Sequence, residues 1–293
     1  MKPTTTLGLF AGVLALVLAV GYGIGQLTGS GARSSSQHSG HGATSSAESE
    51  HGGHANEPDE ADVRPGGLSA SQDGLTLRPA TTTRPPGTSD FRFTIIGADG
   101  KPLTSYTKSH DKELHLIVVR KDLTGFQHIH PTRDAKGTWS IPLTLAAAGP
   151  YKVYADFVPL DQDRAVILAT DLTVPGSYDP QPLPAPATSA TAGDYGISLS
   201  GELKPREASE LELTLTKEGK QVTDLQPYLG AYGHLVTLRE GDLAYLHVHP
   251  EEGPAGPTLT FVAEVPSAST YRLFLDFRHE GVVRTAALTA KAT

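Results

Sequence analysis

Six of the chain's 12 histidines fall in one pattern that occurs twice, H-x12-H-x-H-P, at His115/His128/His130 and again at His234/His247/His249. Histidines at i and i+2 of a strand point to one face. The first histidine of each set belongs to the preceding strand of a hairpin. If four residues form each loop, Arg120 pairs with Gly125 and Arg239 with Ala244. His115 then lies opposite His130, and His234 opposite His249, with His128 and His247 diagonal on the same face. Opposed side chains stand close enough for imidazoles to share one metal ion. A loop of odd length would turn the first histidine to the other face and break the trio.

The ligands on offer are narrow. There is no cysteine, and the single methionine is the initiator. Thiolate zinc sites, iron–sulfur clusters, cysteine nucleophiles and blue-copper sites are therefore excluded, as are disulfides. Imidazole and oxygen donors favour Cu(II) or Zn(II) and disfavour Cu(I). The competing reading is a metal-free cluster of hydrogen-bonded structural histidines, since duplication copies structural residues as readily as functional ones.

The elements that must position these residues form a repeat. Residues 100–131 align without a gap with residues 219–250, at an offset of 119. Downstream, YKVYADF (151–157) matches YRLFLDF (271–277), which repeats Asp156 as Asp276. Short runs rich in β-branched and aromatic residues, such as ELHLIVV (113–119) and HLVTLR (234–239), are bounded by Gly, Pro and Asp clusters. They read as strands. The expected fold class is all-β: two tandem immunoglobulin-like (cupredoxin-like) β-sandwich domains at 67–174 and 188–293, joined by a stiff Pro-rich linker at 175–187. AAGPY at 147–151 resembles the approach to a tyrosine corner, a weaker cue in the second copy. Asp156 and Asp276 are expected to pair with the repeated Arg120 and Arg239, or else to orient an imidazole. His110 and His279 lack counterparts and read as surface residues.

Ahead of the repeat, residues 7–24 are an uninterrupted apolar run. Residues 1–27 are expected to be an N-terminal membrane helix, or a cleaved signal peptide, which places the remainder outside the cytoplasm or secreted. Residues 28–66 are Ser, Gly, Ala, Glu and His and read as a disordered tether, whose His38, His41, His51 and His54 are either inert residues of a solvated linker or loose metal ligands. Two positive and six negative side chains give this tether half of the net charge of −8. The acidic balance argues against nucleic acid as a partner.

At the blocks HLIVVRKDLTGFQHIHP and PYLGAYGHLVTLREGDLAYLHVHP the chain resembles a family of secreted or membrane-anchored bacterial proteins with duplicated H-x12-H-x-H-P β-domains, described as heavy-metal-binding. It is more loosely similar to small copper-handling β-sandwiches of the cell envelope, but lacks the sulfur ligands of cupredoxins. The resemblance adds modestly to the leading reading of the residues themselves, an envelope-anchored, non-enzymatic metal-binding protein with one site per domain. Two other readings compete. One is a non-catalytic interaction module with an unknown protein partner, for which YLGAY (228–232) would supply an apolar surface. The other is a bicupin-type enzyme, in which Asp134, four residues after His130, would be the acid ligand. No nucleotide-binding loop or nucleophile elbow occurs.

Overall fold

The computed structural model describes residues 65–246, 248–251 and 253–293, together with the backbone but not the side chain of His249. The expectations for residues 1–27, and for nearly all of 28–66, lie outside the described residues. Among those described there is no helix.

The first copy contributes β1 (Ser71–Gln72), β2 (Leu75–Pro79), β3 (Gly87–Ile96), β4 (Tyr106–Thr107), β5 (His115–Arg120), β6 (Gln127–Ile129), β7 (Thr132–Arg133), β8 (Thr138–Leu145), β9 (Gly149–Pro159) and β10 (Val166–Val174). The second contributes β11 (Ser189–Ala192), β12 (Tyr195–Ser200), β13 (Ala208–Lys217), β14 (Lys220–Gln221), β15 (Gly233–Arg239), β16 (Tyr245–Leu246), β17 (Val248–Pro250), β18 (Thr258–Glu264), β19 (Ser269–His279) and β20 (Val282–Ala292). Each copy folds as two antiparallel sheets. The first has β1-β2-β3-β8-β7 facing β10-β9-β5-β6; the second has β11-β12-β13-β18-β17 facing β16-β15-β19-β20. A core of alternating apolar residues fills each sandwich, around Phe91, Phe93 and Trp139 in the first and Phe261, Tyr271 and Phe277 in the second. Both copies have the tyrosine corner. The hydroxyl of Tyr151 donates to the Ala147 carbonyl at 2.8 Å, and that of Tyr271 to the Ser267 carbonyl at 2.7 Å.

A third apolar cluster joins the two sandwiches. On β5, Leu116 and Val118 face the core of their own sandwich, while Ile117 and Val119 face the other domain. On β15, Leu235 faces inward and Val236 and Leu238 face across. This explains why both strands are apolar almost throughout: each is buried on both faces. Phe126 and Phe274 stack across the seam with ring centres 4.0 Å apart, and the Tyr154 hydroxyl donates to the Leu243 carbonyl at 2.6 Å.

The proline-rich segment does not hold the sandwiches apart. Arg120 donates to the Asp179 carbonyl at 2.6 Å and lies over the Tyr178 ring, Gln181 donates its N–H to Asp122, and Leu183 packs on the seam. Residues 66–69 add a strap. Gly66 exchanges both main-chain hydrogen bonds with Tyr245 of the second sandwich, while the Gly67 N–H reaches the Ile167 carbonyl on β10 of the first.

Candidate metal centre

Hairpin register decides whether the first trio can form. β5 pairs with β6 as Leu116↔Ile129, Ile117↔His128 and Val118↔Gln127, the register that sets His115 opposite His130. The route differs from a four-residue loop. The Arg120 N–H donates to the Thr124 carbonyl, so the loop has three residues, and Gly125, at φ +63°, absorbs the extra one. A three-residue loop followed by a left-handed glycine bulge keeps the strand in phase. In the second copy Arg239 does bond to Ala244 across four residues, and β15 pairs as Thr237↔Leu246 and Leu238↔Tyr245.

The imidazoles of His115, His128 and His130 converge, each offering a nitrogen within 4.8 Å of the other two. His115 Nδ1 is 3.0 Å from His128 Nε2 and 3.1 Å from His130 Nε2. Partners on the far sides of two rings fix their tautomers. His115 Nε2 faces the Ser109 carbonyl at 3.0 Å, and His128 Nδ1 faces the Asp276 carboxylate at 2.8 Å. Both far-side atoms can only accept, so both ring nitrogens facing them must donate. The near-side nitrogens, His115 Nδ1 and His128 Nε2, face one another and are the atoms left to meet a cation.

Burial keeps the His115 and His130 rings neutral. It pushes His115 down to about 4 and His130 down to about 2, with neighbouring histidines adding to the effect. His234, on β15, is pushed down to about 4, again chiefly by burial. Its Nε2 donates to the Tyr228 carbonyl at 2.8 Å, the counterpart of the His115–Ser109 contact at the same offset of 119. Tyr228 thereby folds the 228–232 segment over the cluster, with its half-buried ring beside His130 and His234.

Several expected contacts are replaced by others. Asp156 and Asp276 do not pair with Arg120 and Arg239. Those arginines are drawn to Asp122 and Asp242 in their own hairpin loops, two and three residues away, so the acids stay in the seam. Asp276 is opposite His234 in β19 yet reaches across the seam to His128, and it also accepts from Thr285. Asp156 accepts from the Tyr245 hydroxyl of the other domain at 3.2 Å. The first trio is thus a site shared by both domains. The expected opposition of His234 and His249 is not formed. Past Leu246 the chain leaves β15, and His249 pairs with Val262 of β18 in the opposite sheet. The side chains of His247 and His249 lie outside the described residues.

His279 is not a surface residue. It is buried, with Nδ1 2.7 Å from the Tyr195 hydroxyl and Nε2 3.0 Å from Asp224. His110 is half-buried and turned towards His234, with ring centres 5.0 Å apart. Spacing within the repeat could not reveal either role, because neither histidine is repeated. Asp134 is exposed and accepts N–H bonds from Lys136 and Thr138, so it closes its own turn and does not join the trio.

A duplicated immunoglobulin-like sandwich with a histidine cluster at its inter-domain seam is the class these observations define. The chain belongs to the family described as Domain of unknown function (DUF8832), which matches residues 70–175 and 190–293. No curated protein matches it. Among solved structures it is similar to the adhesin InvE of Yersinia pseudotuberculosis (13% identity, 74% of this chain and 58% of that one, TM-score 0.23). InvD of the same organism is a second (14% identity, 76% of this chain and 58% of that one, TM-score 0.26). The chain spans less than two thirds of either structure, and at these TM-scores the likeness carries no argument about fold or activity.

Proposed function

We propose that this protein binds a divalent transition-metal ion, Cu(II) or Zn(II), through His115, His128 and His130, and does so without catalysing a reaction. The observation that carries the reading is the 3.0 Å approach of His115 Nδ1 to His128 Nε2, with the far nitrogen of each ring already directed at an acceptor. Two acceptors at that distance repel unless a proton or a cation lies between them. A metal ion about 2.0–2.1 Å from each nitrogen would meet the observed separations of 3.0 and 3.1 Å at bond angles of about 95°. Asp276, fixing the His128 tautomer, plays the part that carboxylates play behind metal-bound histidines. Extracytoplasmic placement behind a membrane anchor, with tether histidines that collect ions, belongs to the same proposal and rests on the sequence of residues 1–66.

The test is thermal unfolding of chelator-treated protein with Cu(II) or Zn(II) in excess, for wild type and His128→Ala/His130→Ala. An ion at 100 times its Kd adds about 2.7 kcal/mol to the stability of the folded state. A rise in Tm in wild type alone is expected. Identical behaviour of the two proteins refutes the proposal.

A further inference from the structure

Against His115 and His128 lies a small cavity of about 40 Å³, whose walls also include Ser109, His110, His234 and Pro250. Outside it is a groove of about 680 Å³, lined by His110, residues 230–233, Pro250 and Glu251, among others. His110 and Pro250 belong to both walls, so they divide the groove from the cavity. An ion arrives from solution with a shell of waters, each of which occupies about 30 Å³ in the liquid. The cavity has room for one water or one bare ion. A hydrated ion in the groove therefore cannot pass while this wall is in place.

Two matching turns, one from each sandwich, build this wall. Ser109 and Lys112 exchange both main-chain hydrogen bonds, and Tyr228 and Ala231 do the same at an offset of 119. The central residues, His110 and Asp111 in one and Leu229 and Gly230 in the other, all have positive φ, from +48° to +79°. Such turns favour Asn-Gly, so His110 and Leu229 are held there at a cost that the surrounding contacts offset. Each turn offers its first carbonyl to the first histidine of its own copy, Ser109 to His115 at 3.0 Å and Tyr228 to His234 at 2.8 Å. Across the seam the turns meet. The His110 ring stands edge-on to His234, with centres 5.0 Å apart at 82°, and a Cβ on Gly230 would lie 3.8 Å from the Asp111 carboxylate. The Tyr228 ring lies beside His130, on the trio itself. No residue of either turn belongs to an apolar core, so the turns can move without disturbing one.

We propose that the paired turns are a gate: an ion enters and leaves the trio through the groove, and passes only when the 109–112 turn swings away from the 228–231 turn and carries His110 off His234. The turns supply no ligand to the trio. The gate therefore sets how fast an ion is loaded and released, in equal measure, and leaves the affinity alone. The inference rests on the metal-binding reading, concerns the kinetics of the same site, and can fail separately from it.

The chain has no cysteine, so a cross-link can be placed across the gate alone. The experiment uses the full chain with His38, His41, His51 and His54 replaced by alanine, so that tether binding does not enter. In this background Asp111→Cys/Gly230→Cys would be joined by a bis-alkylating reagent that spans the two thiols. The same double variant with each thiol capped by iodoacetamide is the control, since it carries the same backbone strain and no free thiol. Stopped-flow absorbance would follow Cu(II) uptake, and its release to excess chelator; equilibrium dialysis would give Kd. Cross-linking should slow both rates by about tenfold or more at an unchanged Kd, because opening has to break at least the His115–Ser109 hydrogen bond. His110→Gly, which suits the turn and takes the ring out of the wall, should speed both rates several-fold, again at an unchanged Kd. Equal rates in the cross-linked and capped proteins overturn the gate and leave the metal proposal standing. Unaltered rates in a folded His110→Gly chain overturn it as well. No Cu(II) bound in the tether-substituted background refutes both.

Discussion

Acidification of the metal-free protein exposes the cost of burying neutral histidines. His234 is held down to about 4, against an ordinary value of 6.5, mainly by burial. As pH falls below 6.5 the unfolded chain takes up this proton and the folded chain does not. Folding stability therefore drops by about 1.4 kcal/mol per pH unit for this residue, until the folded state also protonates near pH 4. The full loss is about 3 kcal/mol; above pH 6.5 the contribution is intact. Urea denaturation at half-unit steps from pH 7.5 to 4.5, in chelator, would be run on wild type and His234→Gln. Glutamine keeps an N–H for the Tyr228 carbonyl and does not titrate. Acidic residues elsewhere titrate alike in both proteins, so the difference isolates His234. Wild type should fall more steeply between pH 6 and 5 by about 1 kcal/mol per unit. Parallel curves would mean that the ring accepts a proton in the folded state at its ordinary pH, and would refute the burial argument.

Three further outcomes follow from the same geometry. Asp276→Asn, which lets His128 adopt either tautomer, should weaken metal binding about 10- to 100-fold by calorimetric titration with the fold retained. Thr237 is completely buried with its hydroxyl unpartnered, and its counterpart at an offset of 119 is Val118. Thr237→Val should therefore raise stability by about 1 kcal/mol in urea titration. Gly67→Ala places a methyl 2.4 Å from the Tyr154 ring at φ +69°. It should lower the Tm by several degrees and make the amides of residues 66–69 exchange faster with deuterated solvent.

Much of the sandwich was legible because strand period and turn residues are local. The trio was legible because its histidines lie on one hairpin whose register the repeat made countable, although a glycine bulge replaced the even loop. The seam was harder to read. HLIVVR on β5 is buried at every residue, which signals covering on both faces but does not say by what. Recurrence of all four residues points the acids towards Arg120 and Arg239. A carboxylate two or three residues from each arginine is a closer partner, and that frees Asp156 and Asp276 for the opposite domain. His110 and His279 have no counterpart in the other copy, so the repeat carries no signal of their burial.

The seam uses equivalent positions from both halves: Ile117 with Val236, Val119 with Leu238, Tyr154 with Phe274, Phe126 with Tyr245. Identical subunits related by a twofold axis make a contact of this kind. In a true pair of identical chains every substitution appears twice, once on each side of the axis. Joining the halves in one polypeptide removes that constraint. His110 could arise on one side alone and Tyr228 close over the other half's histidines, so that a symmetric frame carries an asymmetric centre no homodimer of either half could encode.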